Sequence, residues 1–304
     1  MNINARQYRA RSFGLLWQSD IEIEHFQSAI GGDESADVVM YKTSRLQERN
    51  PTERINRGFV YTDGFRFDWN GIVTFDMFDG NRIGYFPGPK WGGVLPWPFY
   101  STVTALLLAW RGQLPFHGCA VSVDGQGLVI CGESGAGKSS LTAALVAKGA
   151  QFLSDDLSVV VPDKDKSGWC VVTGRPGIRL FPSVGCWFFG DDPIPLPNDP
   201  RGKVIAVPAI NVNDSPVPLR QIIFLGGPEQ SLSAIDQFML LRKNLFRPKW
   251  LGKLPGIAAT RVAVRDISAS ANVSVEPVIG ETDELALRAR AAAIIDRVRS
   301  TVSP

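Results

Sequence analysis

Nine consecutive residues have the composition and spacing of a phosphate-binding loop: Gly132, Glu133, Ser134, Gly135, Ala136, Gly137, Lys138, Ser139 and Ser140. Glycines let the backbone turn and direct its N–H groups at phosphate oxygens, and the positive end of a following helix dipole favours an anion. In such a loop Lys138 reaches the β- and γ-phosphates, and the Ser139 hydroxyl holds Mg²⁺. The pattern therefore predicts the use of a nucleoside triphosphate, ATP, together with Mg²⁺.

The flanking sequence supplies the elements that this loop needs. The apolar run 127–131 is typical of a buried strand, and the Ala/Leu-rich run 140–149 predicts a helix closed by Gly149. Further strands are predicted at 119–123, 157–161, 169–173, 204–207 and 221–225. Alternation of strands with a helix is how α/β nucleotide sites are built. We therefore predict an α/β fold with a P-loop core.

Two acidic residues and a histidine are the candidates for proton transfer. Asp155 and Asp156 follow the predicted helix and the segment 149–154, which we expect to return as a strand beside the phosphate loop. Of two adjacent carboxylates, one can accept a hydroxyl proton and the other can hold Mg²⁺. His117, just before the strand at 119–123, could contact a transferred phosphoryl group.

Taken together, His117-Gly118, the loop 132–139, Gly149 and Leu153-Ser154-Asp155-Asp156 resemble the catalytic core of the HPr kinase/phosphorylase family. The resemblance covers roughly residues 114–160 and implies an HPr-kinase-like domain. It also implies roles: the histidine lies in the active site, the loop lysine and serine handle phosphate and Mg²⁺, and Asp156 accepts the proton of a serine hydroxyl. Asp155 is then a metal ligand beside Ser139 or a group that supports the metal ligands.

The chain departs from the family pattern in two places. Where the family has a glutamate that helps bind metal, residues 172–177 contain no carboxylate, and the N-terminal region does not resemble the family's regulatory domain. The segment Pro176-Gly177-Ile178-Arg179-Leu180-Phe181 instead resembles divergent HPr-kinase-related proteins, some of which phosphorylate a serine of lasso-peptide precursors. Four basic residues could clamp phosphate or an acidic acceptor: Arg175, Arg179, Arg201 and Lys203.

The leading interpretation is an ATP-dependent kinase that phosphorylates a serine-type hydroxyl of a peptide or protein, such as a lasso-peptide precursor. Two alternatives remain open. One is a kinase for a small hydroxylated metabolite, and the other is a nucleotide-dependent sensor without catalysis. The sequence does not identify the acceptor, and the family resemblance implies a homo-oligomer.

Bulk composition narrows the classes of partner. The chain has 304 residues, 44% hydrophobic and 20% charged, and its net charge of +2 does not indicate nucleic acid or a membrane surface as the partner. Its apolar runs are too short to span a bilayer, since spanning takes about 20 residues. The N-terminus lacks a secretory signal pattern. Four scattered cysteines without a CxxC pair indicate buried free thiols in a reducing cytoplasm.

Domain organisation follows from the distribution of turn signals. Short β-like runs bounded by Asp-Gly and Asn-Gly predict a small antiparallel sheet within residues 1–98. The Pro/Gly-rich stretch 87–98 is the predicted boundary, and residues 99–304 form the predicted kinase domain. A helix capped by Ser101 is expected to follow the boundary. At the other end, residues 281–300 predict a packed helix with Leu285, Leu287, Ala291, Ile294, Ile295 and Val298 on its apolar face.

Overall fold

The structure is a computed structural model that describes residues 7–29, 32–165, 168–196, 199, 201–208, 215–227, 231–278 and 283–300. The chain divides into two compact units. The first comprises residues 1–115 and 246–261, and the second comprises residues 116–245 and 262–304. The domain boundary at residue 98, which rests on sequence alone, stays a prediction.

The described residues form a mixed α/β structure with two large sheets and one small sheet. The strands are β1 (Tyr8–Ser12), β2 (Leu15–Ser19), β3 (Gln27–Ser28), β4 (Val38–Lys42), β5 (Glu53–Ile55), β6 (Gly58–Tyr61), β7 (Gly64–Trp69), β8 (Val73–Phe78), β9 (Arg82–Pro87), β10 (Leu114–Phe116), β11 (Gly118–Val123), β12 (Gln126–Gly132), β13 (Gln151–Ser154), β14 (Ser158–Pro162), β15 (Trp169–Val172), β16 (Ile178–Leu180), β17 (Ile194–Pro195), β18 (Val204–Ala206), β19 (Val217–Leu225) and β20 (Asn272–Glu276). The α-helices are α1 (Thr104–Trp110), α2 (Lys138–Ala147), α3 (Pro182–Phe189), α4 (Ala234–Lys243), α5 (Pro248–Leu251), α6 (Ile257–Ser270) and α7 (Glu284–Ser300).

The first unit contains a nine-stranded sheet in the order β3-β1-β2-β4-β9-β8-β7-β6-β5. The prediction of a small antiparallel sheet is wrong in size, and also in pairing, because β4 runs parallel to both β2 and β9. Turn residues specify only hairpins between consecutive strands. One of these is the β7–β8 hairpin, where Asn70 and Gly71 both have positive φ, 51° and 68°. Parallel pairing depends on longer connections that carry no such local signal.

The helix after the Pro/Gly-rich stretch begins differently from the prediction. Residues Phe99–Val103 form a π-helical turn, and α1 starts at Thr104. The Ser101 hydroxyl donates to the carbonyl of Trp97 at 3.3 Å, so it does not accept a backbone N–H as an N-cap would. The predicted Ser101 cap is therefore wrong.

The second unit is organised around a mixed sheet. Along this sheet β14, β15, β19, β12, β11 and β13 are neighbours, and β20 pairs with β19. Strand β11 pairs antiparallel with both β12 and β13, whereas β12 and β19 are parallel. Strands β12 and β13 therefore run in the same direction with β11 between them. Residues 149–154 return as β13, whose end lies beside the phosphate loop as predicted, since Asp155 contacts Ser139, although β11 separates β13 from the loop strand β12.

Helices α2 and α7 pack together against this sheet. Leu141 and Leu145 of α2 share a buried cluster with Ile294 and Ile295 of α7 and with apolar side chains of the strands. Gly149, at φ 99°, follows α2 as predicted. The predicted apolar face of the last helix is confirmed except at Leu285, which is 75% exposed. The predicted start at residue 281 lies outside the described residues.

All four cysteines are free. Cys119, Cys131 and Cys170 are buried as predicted, whereas Cys186 on α3 is exposed. Within the described ranges, the helices are too short or too polar to cross a bilayer.

Candidate active site

The strand directions of the second unit bring three chain segments to one edge of its sheet. Strands β12 and β13 end at this edge, because they run in the same direction, and the antiparallel strand β11 begins there. The glycine-rich loop follows β12, Asp155 and Asp156 follow β13, and His117 immediately precedes β11. The candidate residues therefore meet through sheet topology, although they are separated along the chain.

The glycine-rich loop is held tightly at both ends. Gly132 has φ 147°, and a Cβ there would lie 2.5 Å from the carbonyl oxygen of Leu225 on β19. Gly137 precedes α2 in a left-handed conformation at φ 89°. The Lys138 side chain folds back over the loop, and its Nζ donates to the carbonyls of Gly132 and Glu133, each at 2.9 Å. The loop thus places a largely buried ammonium group at the start of a helix.

The carboxylate of Asp155 is fixed by three donors. Its Oδ1 accepts from Ser139 Oγ at 2.9 Å and from Cys119 Sγ at 3.0 Å, and its Oδ2 accepts from the backbone N–H of Arg179 at 2.9 Å. Burial, followed by the Asp155 charge, raises the pKa of the Cys119 thiol well above its usual value, so the thiol stays protonated and acts as the donor. Asp155 and Ser139 are therefore held together as an adjacent pair of oxygen ligands.

Asp156 lies beside the histidine. Its Oδ1 is 3.5 Å from His117 Nδ1, and both side chains are partly exposed. The backbone of Asp156 has φ 70°, a conformation that non-glycine residues rarely adopt and that aspartate and asparagine tolerate best. Burial lowers the pKa of His117, and Lys138 lowers it further, while the Asp156 carboxylate acts in the opposite direction. The lowered pKa leaves the His117 imidazole neutral at neutral pH.

These segments line a cavity of about 340 Å³. Its lining residues are His117, Cys119, Ser134, Gly135, Gly137, Lys138, Ser139, Ser140, Asp155, Asp156, Arg179, Leu180, Phe181, Arg201, Lys203 and Val278. Of the residues predicted for the loop, Gly132, Glu133 and Ala136 do not line it. Glu133 is instead mostly exposed and forms an ion pair with Lys243. Most of the predicted site residues thus face one common space.

The opposite wall of the cavity comes from the small sheet, in which β18 lies between β16 and β17. Asp199 pairs with the Arg179 guanidinium and accepts the backbone N–H of Arg201 at 2.8 Å. Lys203 Nζ donates to the carbonyl of Arg179 at 3.3 Å. Burial lowers the pKa of Lys203, while the Asp155 charge acts in the opposite direction. Arg175, the fourth basic residue that the sequence suggests, is buried and does not line the cavity.

Five residues of this site were not predicted as functional from the sequence: Cys119, Leu180, Phe181, Asp199 and Val278. Cys119 was interpreted only as a buried thiol, and Asp199 and Phe181 carried no role. Asp199 and Lys203 both precede the short strand β18, without a recognisable motif. The only available signal for Cys119 is its position two residues after His117, on the face of β11 that meets Asp155.

The donor set at the cavity fits Mg²⁺ and a polyphosphate. Ser139 and Asp155 offer a hydroxyl and a carboxylate oxygen, the ligand type that Mg²⁺ prefers. No cluster of three or more His, Cys, Asp or Glu side chains suited to a metal occurs in the described part of the chain. A Mg²⁺ site usually has one or two carboxylates and fills its remaining positions with water and substrate phosphates.

A family model described as "HPr Serine kinase C-terminal domain" matches residues 110–173. This segment of the chain is therefore similar to the C-terminal domain of HPr serine kinases. The matched segment contains His117, the glycine-rich loop and the Asp155–Asp156 pair. A solved structure, the Hpr(Ser) kinase/phosphatase from Coxiella burnetii, matches at 20% sequence identity with a TM-score of 0.26, over 40% of this chain and 73% of that one. No curated protein matches the chain significantly.

Proposed function

We propose that this protein is an ATP-dependent kinase that transfers the γ-phosphoryl group to a serine-type hydroxyl of a peptide or protein. One observation carries the proposal: Lys138, Ser139, Asp155 and Asp156 face a single cavity within an HPr-kinase-related segment. The finer proposal is that the acceptor is the precursor of a ribosomal peptide natural product, such as a lasso peptide. A cytoplasmic location and a homo-oligomeric state stay predictions.

In this proposal each residue has a separate task. The loop N–H groups and Lys138 bind the phosphates, and Ser139 and Asp155 hold Mg²⁺. Bound Mg²⁺ neutralises charge on the phosphates. Asp156 accepts the proton of the attacking hydroxyl as its oxygen bonds to the γ-phosphorus. The bond from that phosphorus to the oxygen bridging to ADP breaks, and ADP carries away the electron pair.

Asp156 suits the role of base because of its surroundings. It is partly exposed, so an acceptor can reach it, and the neutral His117 beside it does not offset its negative charge. Asp155 does not suit this role, because three donors already occupy its oxygens. The two adjacent carboxylates are therefore divided between proton transfer and metal binding by the donors that the fold supplies to one of them.

The test is acceptor-dependent ADP release from Mg-ATP, with mass spectrometry of the acceptor. Wild type and Asp156→Asn are compared on HPr, on serine-containing precursor peptides and on a pool of small hydroxylated metabolites. Asparagine tolerates positive φ, so the variant removes the base without straining the backbone. The matched control is Asp124→Asn, since Asp124 also has positive φ, 47°, but lies outside the cavity.

Phosphate on a peptide serine, lost in Asp156→Asn and kept in Asp124→Asn, supports the proposal. A loss of about 10²–10⁴-fold is expected for removal of a general base. Phosphate on a metabolite instead would favour the alternative in which the protein is a kinase for a small hydroxylated molecule. Nucleotide binding without transfer to any of these acceptors would contradict the kinase assignment and favour a nucleotide-dependent sensor.

A further inference from the structure

Two lysines that line the cavity have no carboxylate at ion-pair distance among the described residues. Lys138 donates to the carbonyls of Gly132 and Glu133, and Lys203 donates to the carbonyl of Arg179. In the part of the chain that the structure describes, neither lysine forms an ion pair with a carboxylate. Buried or partly buried charges are normally paired, so each ammonium group is prepared for an anionic ligand.

The position of Lys203 follows from the backbone of Arg179. In an antiparallel pair, the N–H and C=O groups of one residue point to the same side of the strand. The Arg179 N–H donates to Asp155 Oδ2, while its C=O accepts from Lys203 Nζ. Lys203 Nζ therefore lies on the same edge of β16 as the Asp155 carboxylate. The other oxygen of that carboxylate contacts Ser139, so Asp155 lies between the loop and the edge of β16 that Lys203 contacts.

Neighbouring groups keep Lys203 in this place. Its Nζ lies 5.2 Å from the centroid of the half-exposed Phe181 ring, a distance suited to a cation–π contact. The nearby Asp199 carboxylate is occupied by Arg179 and Arg201. Asp199 therefore compensates the arginines and leaves the lysine charge available to a ligand.

We propose that Lys203 is a second phosphate-binding lysine, which contacts the terminal phosphoryl group of a nucleoside triphosphate from the wall opposite Lys138. This inference rests on the proposed function and adds a specificity to it. A diphosphate lacks the group that Lys203 contacts. Lys203 should therefore help the site to distinguish ATP from ADP, and Lys138, which is placed at the start of the loop helix, should serve both nucleotides.

The experiment measures the dissociation constants of ATP and ADP by calorimetry in excess Mg²⁺ for the full chain. Lys203→Met removes the charge and keeps the length of the side chain. We expect ATP affinity to fall about tenfold or more, as for the loss of one charged hydrogen bond, and ADP affinity to change by less than about twofold. Lys203→Arg retains the charge and should bind ATP within about threefold of wild type.

Lys148→Met is the matched control, because Lys148 is an exposed lysine at the far end of α2 and outside the cavity lining. It should leave both affinities unchanged. An equal loss for ATP and ADP in Lys203→Met would overturn the inference, and so would the absence of any loss. If wild type binds neither nucleotide, the proposed function itself fails, an outcome distinct from loss of ATP selectivity alone.

Discussion

The two walls of the cavity are built in different ways. The loop wall comes from one short stretch of chain, namely Ser134, Gly135 and Gly137 of the loop and Lys138, Ser139 and Ser140 at the start of α2. The opposite wall combines Arg179 and Phe181 near β16 with Arg201 and Lys203 near β18, and strand pairing brings them together. The loop wall is therefore a local motif, whereas the opposite wall exists only after the small sheet has formed. We therefore expect substitutions in the two walls to have different effects on nucleotide binding.

The largest effect is expected in the loop wall, from Lys138→Met. Lys138 is buried at the N-terminal end of α2, and its loss removes a charge that both ATP and ADP would contact in the proposed function. Both affinities should fall about 100-fold, in contrast to the ATP-selective loss expected for Lys203→Met. Calorimetry on the two variants side by side makes this comparison. If both variants change the ratio of ATP to ADP affinity equally, the two walls do not have the different roles proposed for them.

The next test addresses how firmly the loop is anchored. A Cβ at Gly132 meets the carbonyl oxygen of Leu225 at 2.5 Å in addition to an unfavourable φ of 147°. Gly132→Ala should therefore lower the free energy of unfolding by about 2–4 kcal/mol, measured by urea denaturation.

Gly135→Ala is the control for backbone strain alone. Gly135 has φ 87° with no atom within 4 Å of an added Cβ, so its substitution should cost about 1–2 kcal/mol. If both variants lose the same stability, the contact between the loop and β19 does not anchor the loop.

A smaller effect is expected at Cys119, which links the Asp155 carboxylate to β11. Cys119→Ala removes one donor from Asp155 Oδ1 and leaves Ser139 and the Arg179 N–H in place. The Mg²⁺ concentration for half-maximal ATP binding should rise about three- to tenfold, the equivalent of about 1 kcal/mol for one hydrogen bond.

Cys119→Ser keeps a donor at this position and should restore most of the Mg²⁺ dependence. ATP binding without Mg²⁺ should be the same in wild type and in both variants. A purely structural role would instead lower the thermal stability of both variants and leave the Mg²⁺ dependence unchanged.

How far the sequence predicts this site depends on how far apart the contacting residues lie along the chain. The loop, α2 and the Asp155–Asp156 pair can be predicted from the sequence, because the glycines, the lysine, the helix and the two aspartates follow one another closely along the chain. Strand β11 lies between β12 and β13, and no local pattern indicates that insertion.

The contacts of Cys119 and Lys203 are equally hidden, because each depends on a strand pairing between distant segments. The first unit shows the same dependence on non-local pairing. Hairpins between consecutive strands were predicted there, whereas the parallel pairs of β4 with β2 and β9 were not. Residue type and local spacing thus identify the chemistry, while non-local pairing decides which neighbours tune it.

The smallest expected effect is the pH dependence of His117, at the edge of the loop wall. Burial lowers its folded-state pKa below the usual 6.5, so the unfolded chain binds more protons as the pH falls through that value. The stability should be complete above about pH 6.5 and decrease on acidification until the folded pKa is reached. The effect is small because the side chain is 38% exposed.

His117→Gln tests this directly, since glutamine cannot take up the proton. Thermal unfolding of both proteins at pH 7.5 and pH 5.5 should show a larger fall in midpoint for wild type than for the variant. Kinase activity offers a second measurement, because protonated His117 would pair with the Asp156 carboxylate and weaken it as a base. Wild type should therefore lose activity on acidification with an apparent pKa below 6.5. A midpoint above that value would show that the Asp156 charge, and not burial, determines the pKa of His117.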